Sequence, residues 1–338
     1  MTDGAAAGAA AGEAEPALPR RRLGRTGYTV SALGIGGWLG ILEDPAVDAA
    51  GREAAAVAAV RRAVDLGVTY FDTSPSYGGG EAERHLGLGL RALPAALRST
   101  LRIATKTGTH PERPNRYDAA STRWTVERSL AALFAEHIDV LLVHDPRTDA
   151  EVDAIVGPGG ALEALEALKA QGVIGAIGLG VRTHRFLHRA IDSGRFDVIL
   201  TPYDYTLLRS SAAGVIAAAR ARDVGVINGS PYGAGLIAGD EPDRAATRRP
   251  PLAPGDLERA RRLWRWCRER DLDLGAVAVQ FSLRQADIAV TLTGPRTAAE
   301  VEGNVAHARA ALPEAVWTDL AAFLETLPPA APGGEVGG

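Results

Sequence analysis

Four residues of this chain have types and spacing that point to proton chemistry: Asp72, Tyr77, Lys106 and His144. Of 37 basic residues only Lys106 and Lys169 are lysines. A lysine among so many arginines marks a position the arginine fork does not fill, because Lys is a compact point charge whose pKa moves on burial. Lys169 lies in the last turn of an amphipathic helix pattern, where the helix dipole favours a cation. Lys106 instead ends the apolar run LRIATK, which reads as the rim of a strand. Asp72 closes VTYFD and His144 closes VLLVH, at spacings of 34 and 38 residues from Lys106. Each spacing is about one strand–helix unit, so three neighbouring parallel strands would place all three residues on one rim. Tyr77 follows Asp72 in a tight loop with Pro75 and glycines 78 to 80, which can carry the phenol back over that rim.

A phenol with an ordinary pKa near 10 is too weak an acid for neutral pH. An ammonium beside it stabilises phenolate, and a carboxylate beside the ammonium keeps that charged and aimed. The Tyr could then give a proton to a carbonyl oxygen or take one from an alcohol, with His144 hydrogen-bonded to the same oxygen. No nucleophile or metal is required, so the hydride must come from a cofactor. Taken singly, Asp72 could be a helix N-cap, Tyr77 a loop anchor, and Lys106 and His144 structural residues. Their joint placement at three successive strand ends supports proton transfer.

The elements that position these residues alternate between short aliphatic runs and longer amphipathic ones. Strand patterns cover 30–35, 68–71, 101–106, 139–144, 173–179, 197–201, 224–228 and 288–292, each trailed by a helix pattern. Eight strand–helix units with continuous aliphatic strands predict an α/β fold, a closed (β/α)8 TIM barrel. An open doubly wound sheet is the alternative and usually has fewer strands. Residues 22–30 have hairpin spacing and predict an N-terminal β-hairpin. Two long inserts, 107–121 and 239–254, follow strands on the face where a barrel carries its active site. The predicted organisation is an Ala/Gly-rich disordered tail over 1–20, the barrel over 21–327 and a flexible tail over 328–338.

Composition excludes several classes. A net charge of −4 without charge runs gives no nucleic-acid stripe, and no apolar stretch is long enough for a membrane span. The N-terminus lacks the basic and leucine-rich regions of a signal peptide. Cys267 is the single cysteine, in a helical stretch, and reads as a buried thiol in a reducing cytosol, so the expected location is cytoplasmic. Gly34 to Gly40 nearly match a dinucleotide fingerprint, but Leu39 holds the third glycine position; Trp38 there fits better as a substrate wall, with Tyr77 and His144 completing the pocket. His184 and His188 have ligand spacing on a helix without an acidic residue between them, so they read as a solvated face and no metal is expected. Trp124 either borders the pocket or caps a helix.

FDTSPSYGGGEAERHLG, ATKTG and IDVLLVHDP resemble the signature segments of the aldo-keto reductase superfamily, a likeness extending from about Arg22 to Pro328. The resemblance implies nicotinamide cofactor at the C-terminal face of a (β/α)8 barrel, with Asp72, Tyr77, Lys106 and His144 as the catalytic tetrad. Phe71 to Pro75 with Tyr77-Gly78, His144-Asp145-Pro146, Tyr205 to Leu208 and Asn228-Gly229 look like its sugar-oxidising branch, which includes D-threo-aldose (L-fucose) 1-dehydrogenases, L-galactose dehydrogenases and a pyridoxal 4-dehydrogenase. The family's Ser-Asn carboxamide pair is replaced by Gly180-Val181, its Gln is replaced near Pro202, and its stacking aromatic becomes Gly229 before Ser230. The segment from Gly294 to Asn304 matches better: it opens a helix, Arg296 could meet a phosphate, and Asn304 matches the adenine-binding Asn. Gly294 and Glu300 stand where NADPH-selective members carry further cations. A carboxylate there suits a ribose hydroxyl better than a 2′-phosphate, so NAD is favoured over NADP. The implied activity is oxidation of the anomeric hydroxyl of a free aldose (L-fucose, D-arabinose or L-galactose type) to the lactone. An NADPH-dependent aldehyde or ketone reductase, a pyridoxal 4-dehydrogenase and a non-catalytic cofactor-sensing subunit are the alternatives. The expected partner is a small sugar or carbonyl substrate.

Overall fold

The computed structural model describes residues 16–247, 253–330 and 333–334. Eight parallel strands close into one barrel: β1 (Leu33–Ile35), β2 (Tyr70–Asp72), β3 (Arg102–Thr107), β4 (Ile138–His144), β5 (Ile174–Gly180), β6 (Val198–Pro202), β7 (Gly225–Gly229) and β8 (Val290–Thr293). Each pairs with its neighbour in sequence, and β8 returns to β1 through Thr293 opposite Ile35. The surrounding cylinder is α1 (Ala49–Asp65), α2 (Ala82–Arg91), α3 (Ala119–Leu133), α4 (Ala161–Ala170), α5 (His184–Ser193), α6 (Ala213–Ala221), α7 (Leu274–Leu283) and α8 (Ala298–Arg309). This is the (β/α)8 architecture that the alternation of patterns predicts, with strand boundaries displaced by up to three residues. No helix among the described residues is long and apolar enough to cross a membrane.

Strand parity decides which residues face the barrel axis. Tyr70, Ala104, Val140, Leu142, Ala176, Val198, Leu200, Ile227, Val290 and Leu292 form an inner core. Alternate residues, such as Phe71, Leu141, Ile177 and Val226, pack outward against the helices. Asp72, Lys106 and His144 share the parity of the inner core, each two residues beyond an inner residue. They therefore form the polar top layer of an otherwise apolar barrel. Adjacent strands hold the level: Asp72 lies opposite Ala104, Lys106 opposite Leu142, and His144 opposite Gly180.

The opposite end is closed by the N-terminal hairpin, Arg20–Arg22 paired antiparallel with Thr29–Ser31, whose Leu23 and Val30 join the inner core. Gly175 makes the closure possible, because a Cβ there would lie 1.9 Å from the Tyr28 hydroxyl. Asp139 and Asp197, at the starts of their strands, accept the backbone N–H groups of Ile103 and Ile177, both at 2.9 Å. Of the predicted N-terminal tail, residues 1–15 lie outside the described residues, whereas Leu18 is buried and the hairpin begins at Arg20. Within the predicted C-terminal tail, Gly334 is buried: its N–H donates to Asp204 at 2.9 Å and its carbonyl accepts from His184 at 3.1 Å. His184 also sets its Nε2 3.1 Å from the Asp204 carboxylate. It is part of this tail anchor rather than of a solvated face, because Asp204 is fully buried and gathers donors.

Candidate active site

Asp72, Lys106, His144 and Tyr77 meet at the C-terminal mouth of the barrel. Lys106 is 1 % exposed. Its ammonium donates to Asp72 Oδ1 at 2.5 Å and to the Thr73 carbonyl at 2.7 Å. An ammonium has three donors, and with two committed Nζ stands 4.5 Å from the centroid of the Tyr77 ring. Arg could not reproduce this, since its planar fork would need room for five N–H groups in a closed layer.

Tyr77 is delivered by the loop after β2. Three consecutive glycines with positive φ, Gly78 to Gly80, turn the chain immediately beyond it. Its ring stacks on Trp38 (centroids 5.9 Å apart, 11° between planes) and meets the His144 imidazole edge-on at 5.8 Å. Gly37 supplies the clearance, because a Cβ there would lie 2.8 Å from Tyr77 Cδ2. Trp38, in the loop after β1, is 42 % exposed and forms an open wall of the mouth.

The electrostatics follow from burial and from Lys106. Burial favours loss of the Lys106 proton, but Asp72 and Tyr77 outweigh it and hold the ammonium above its ordinary range. Burial pushes the Tyr77 phenol up, Lys106 pulls it down, and Asp72 and Asp145 add to the rise; the sum lies above the ordinary tyrosine value. The sequence predicts that Lys106 lowers the phenol. That pull exists, but the desolvation of the half-buried phenol exceeds it. Burial, helped by the Lys106 charge, holds His144 well below the usual histidine range, so its imidazole is neutral.

His144 is fixed by the first insert, which folds as a small hairpin, Thr109–His110 against Arg113–Pro114. Thr109 Oγ1 lies 2.7 Å from His144 Nδ1, and the Tyr117 hydroxyl donates to the His144 carbonyl at 2.9 Å. Gly108, at φ 100°, lets the hairpin pass over Tyr117, whose ring lies 2.3 Å from where a Cβ would sit. Trp124 is away from the mouth contacts: it packs edge-on with His110 (4.6 Å) and under the Arg113 and Arg128 guanidinium groups at 4.3 and 3.8 Å.

The residues matched to cofactor contacts follow the mouth from β5, next to His144, round to β8, next to Trp38. Gly180 ends β5, Ser230 follows β7 at φ 58°, and Gly294 follows β8 beneath Trp38, where an added Cβ would come within 3.1 Å of Cδ1. Arg296 and Glu300 stand at the start of α8, and Asn304 lies further along the same helix. The Glu300 carboxylate accepts the Arg296 backbone N–H at 2.6 Å, while the Arg296 guanidinium pairs with Glu43 at 2.8 Å. Glu300 thus completes the helix start next to its N-cap, Thr297.

A model of the Aldo/keto reductase family matches residues 32–325. The chain belongs to this family. It is 33 % identical to an L-galactose dehydrogenase of Arabidopsis thaliana over 290 residues, covering 85 % of this chain and 86 % of that protein. It is 32 % identical to a D-threo-aldose 1-dehydrogenase of a Pseudomonas species over 340 residues (93 % and 96 %), and 29 % to a pyridoxal 4-dehydrogenase of Microbacterium luteolum over 343 residues (90 % and 97 %). A solved structure from Pseudomonas aeruginosa, assigned to the aldo-keto reductases, superposes with a TM-score of 0.60 at 28 % identity, covering 86 % of this chain and 94 % of that one. The protein is accordingly an NAD(P)-dependent oxidoreductase of the aldo-keto reductase family.

Within this aldo-keto reductase, sequence reasoning missed three contributors to the mouth. Thr109 and Tyr117 lie in the insert already marked by its length, but nothing in their spacing shows that they grip His144. Asp145 stands directly after His144, with its carboxylate 3.3 Å from His144 Nε2. Cys267 is buried, and its thiol is pushed up to about 12 by burial, so it is no nucleophile. Among the described residues no group of three His, Cys, Asp or Glu side chains is placed to hold a metal.

Proposed function

We propose that this enzyme oxidises the anomeric hydroxyl of a free aldose to the lactone, with NAD preferred over NADP. The observation that carries the reading is the Lys106 ammonium, clamped by Asp72 and the Thr73 carbonyl and set 4.5 Å from the Tyr77 ring at the open mouth. Tyr77, as phenolate, takes the hydroxyl proton at its phenol oxygen. Lys106 stabilises that phenolate, Asp72 holds Lys106 charged, and neutral His144 donates from its ring to the reacting oxygen. Trp38 supplies an aromatic wall for the C–H face of a sugar ring. The names of two relatives, an L-galactose and a D-threo-aldose dehydrogenase, support the substrate class.

The residues matched to cofactor contacts fit a dinucleotide. Added Cβ atoms at Gly180 and Gly229 would meet nothing nearer than 3.5 Å, so packing does not demand glycine there. The missing side chains instead leave room for a planar ring. Ser230, Gly294, Arg296 and Asn304 would line the remaining path, with Arg296 and the free N–H groups of α8 facing phosphate. When bound, the nicotinamide supplies the acceptor for the anomeric hydride. Arg296 already faces Glu43, and Glu300 adjoins it, which leaves little net positive charge for a 2′-phosphate.

The test is a matrix of NAD⁺ and NADP⁺ against L-fucose, D-arabinose, L-galactose and pyridoxal, run with wild type and Tyr77→Phe. Aldose-dependent NAD⁺ reduction that falls about 10²–10⁴-fold in the variant is expected. Near-wild-type turnover by Tyr77→Phe with cofactor still bound would falsify the mechanism. Exclusive NADPH-dependent carbonyl reduction would replace the substrate reading.

A further inference from the structure

Asp145 has no part in the tetrad, yet its carboxylate stands beside the atom that would hold the reacting oxygen. The side chain is 53 % exposed at the mouth, with Oδ2 3.3 Å from His144 Nε2. It is not an incidental surface group. Its backbone holds φ 46°, a left-handed conformation that Asp adopts more readily than most residues, and its N–H is tied to the Gly180 carbonyl at 2.9 Å. Its charge also raises the Tyr77 phenol, which opposes formation of the phenolate base. A carboxylate fixed beside His144 that works against the base implies a compensating task.

The neighbouring imidazole shows what that task is. An ionised carboxylate can only accept, so its place 3.3 Å from Nε2 favours the tautomer with the ring hydrogen on Nε2. Nδ1 is then the acceptor, and the Thr109 hydroxyl, at 2.7 Å, donates to it. The mouth therefore presents a donor, Nε2–H, and an acceptor, Asp145 Oδ2, side by side. That pair matches two oxygens on adjacent carbons: the reacting oxygen accepts from His144 while its neighbour donates to Asp145.

We propose that Asp145 selects substrate by accepting a hydrogen bond from the hydroxyl on the carbon next to the reacting one. The site thus takes aldoses and other 2-hydroxyaldehydes in preference to carbonyl compounds lacking that hydroxyl. This rests on the tetrad being the reacting site and names what the site reads.

The experiment compares kcat/KM for 2-hydroxypropanal and propanal, with reduced cofactor, in wild type, Asp145→Asn and Asp145→Gly. Aldose oxidation is assayed in parallel. Both replacements accept the left-handed backbone, and thermal unfolding checks that they fold. Wild type should prefer 2-hydroxypropanal. Asn, a neutral acceptor, should lose about 10-fold of that preference and Gly about 100-fold, read as the ratio of the two kcat/KM values so that any change common to both aldehydes cancels. Removing the charge leaves Asp72 as the carboxylate raising Tyr77 and Lys106 as the cation lowering it. The loss of reduction at high pH should then begin at a lower pH in both variants, a shift that packing damage alone would not produce. No wild-type preference, or the same preference in all three proteins, overturns the proposal. A preference that disappears in the variants of an enzyme that oxidises no aldose would overturn the proposed function and leave this inference standing.

Discussion

Two lysine–aspartate pairs sit at opposite ends of the barrel, and both bring ammonium and carboxylate to 2.5 Å. At the C-terminal mouth, Lys106 and Asp72 are 1 % and 4 % exposed. At the N-terminal end, Lys169 and Asp197 are 40 % and 13 % exposed. The difference in depth separates their roles. Water screens Lys169, and its partner is already satisfied by the Ile177 N–H and has Arg25 at 3.5 Å. Lys106 lies in a closed layer, where one charge reaches Tyr77, Asp72 and His144 at once. The same contact is an anchor at one end and an electrostatic control at the other.

Removing the ammonium at the mouth should have the larger effect. Lys106→Met should cut turnover by about 10²–10⁴-fold and destabilise the fold by about 3–5 kcal/mol, because Asp72 loses its buried counter-charge. Steady-state kinetics and denaturant unfolding read the two effects. Lys106→Arg keeps the charge but not the geometry, so we expect turnover reduced by about 10-fold or more and a lowered Tm, because the larger fork is forced into a closed layer. If Arg restores full activity, charge alone matters and the contrast with Lys169 loses its geometric half.

The pH dependence sharpens the same contrast. Burial lifts Tyr77 above its ordinary range even against the pull of Lys106, and oxidation requires the deprotonated form. Aldose oxidation should therefore increase with pH from about 8 to 10, and carbonyl reduction should decline as pH rises through the phenol's pKa. A rate flat across that range would show that Tyr77 is not the group being titrated. At the other end, Lys169→Met should cost about 1 kcal/mol in unfolding experiments and leave kcat unchanged. Lys169→Arg should leave both within error, since a half-exposed site accommodates the larger fork.

Much of the architecture is legible in the sequence because period and spacing are local properties. Each aliphatic run of four to seven residues marks a strand, and the 34- and 38-residue intervals carry Asp72, Lys106 and His144 to adjacent strand ends with the same parity. The partners of those residues are less legible. Lys169 reads as a helix-terminal cation, yet it pairs with Asp197, which is 28 residues away and brought near by the β5–α5–β6 crossover. Glu300 reads as a ribose ligand, yet its carboxylate is held by the Arg296 N–H. Thr109 reaches His144 only because Gly108 turns a hairpin back over the mouth. No periodicity encodes such contacts, which depend on loop paths.

By itself the sequence determined the barrel, its N-terminal hairpin and the family, because hydrophobic period, strand parity and spaced motifs are written along the chain. Tertiary structure alone decided the balance of charge at the mouth. Tyr77 lies above its ordinary range because its burial in the folded loop outweighs the stabilisation that Lys106 gives the phenolate. Asp145 faces His144 Nε2 because a left-handed turn after β4 aims it there. Desolvation and direction belong to the assembled barrel, and neither exists until eight strands close around the site.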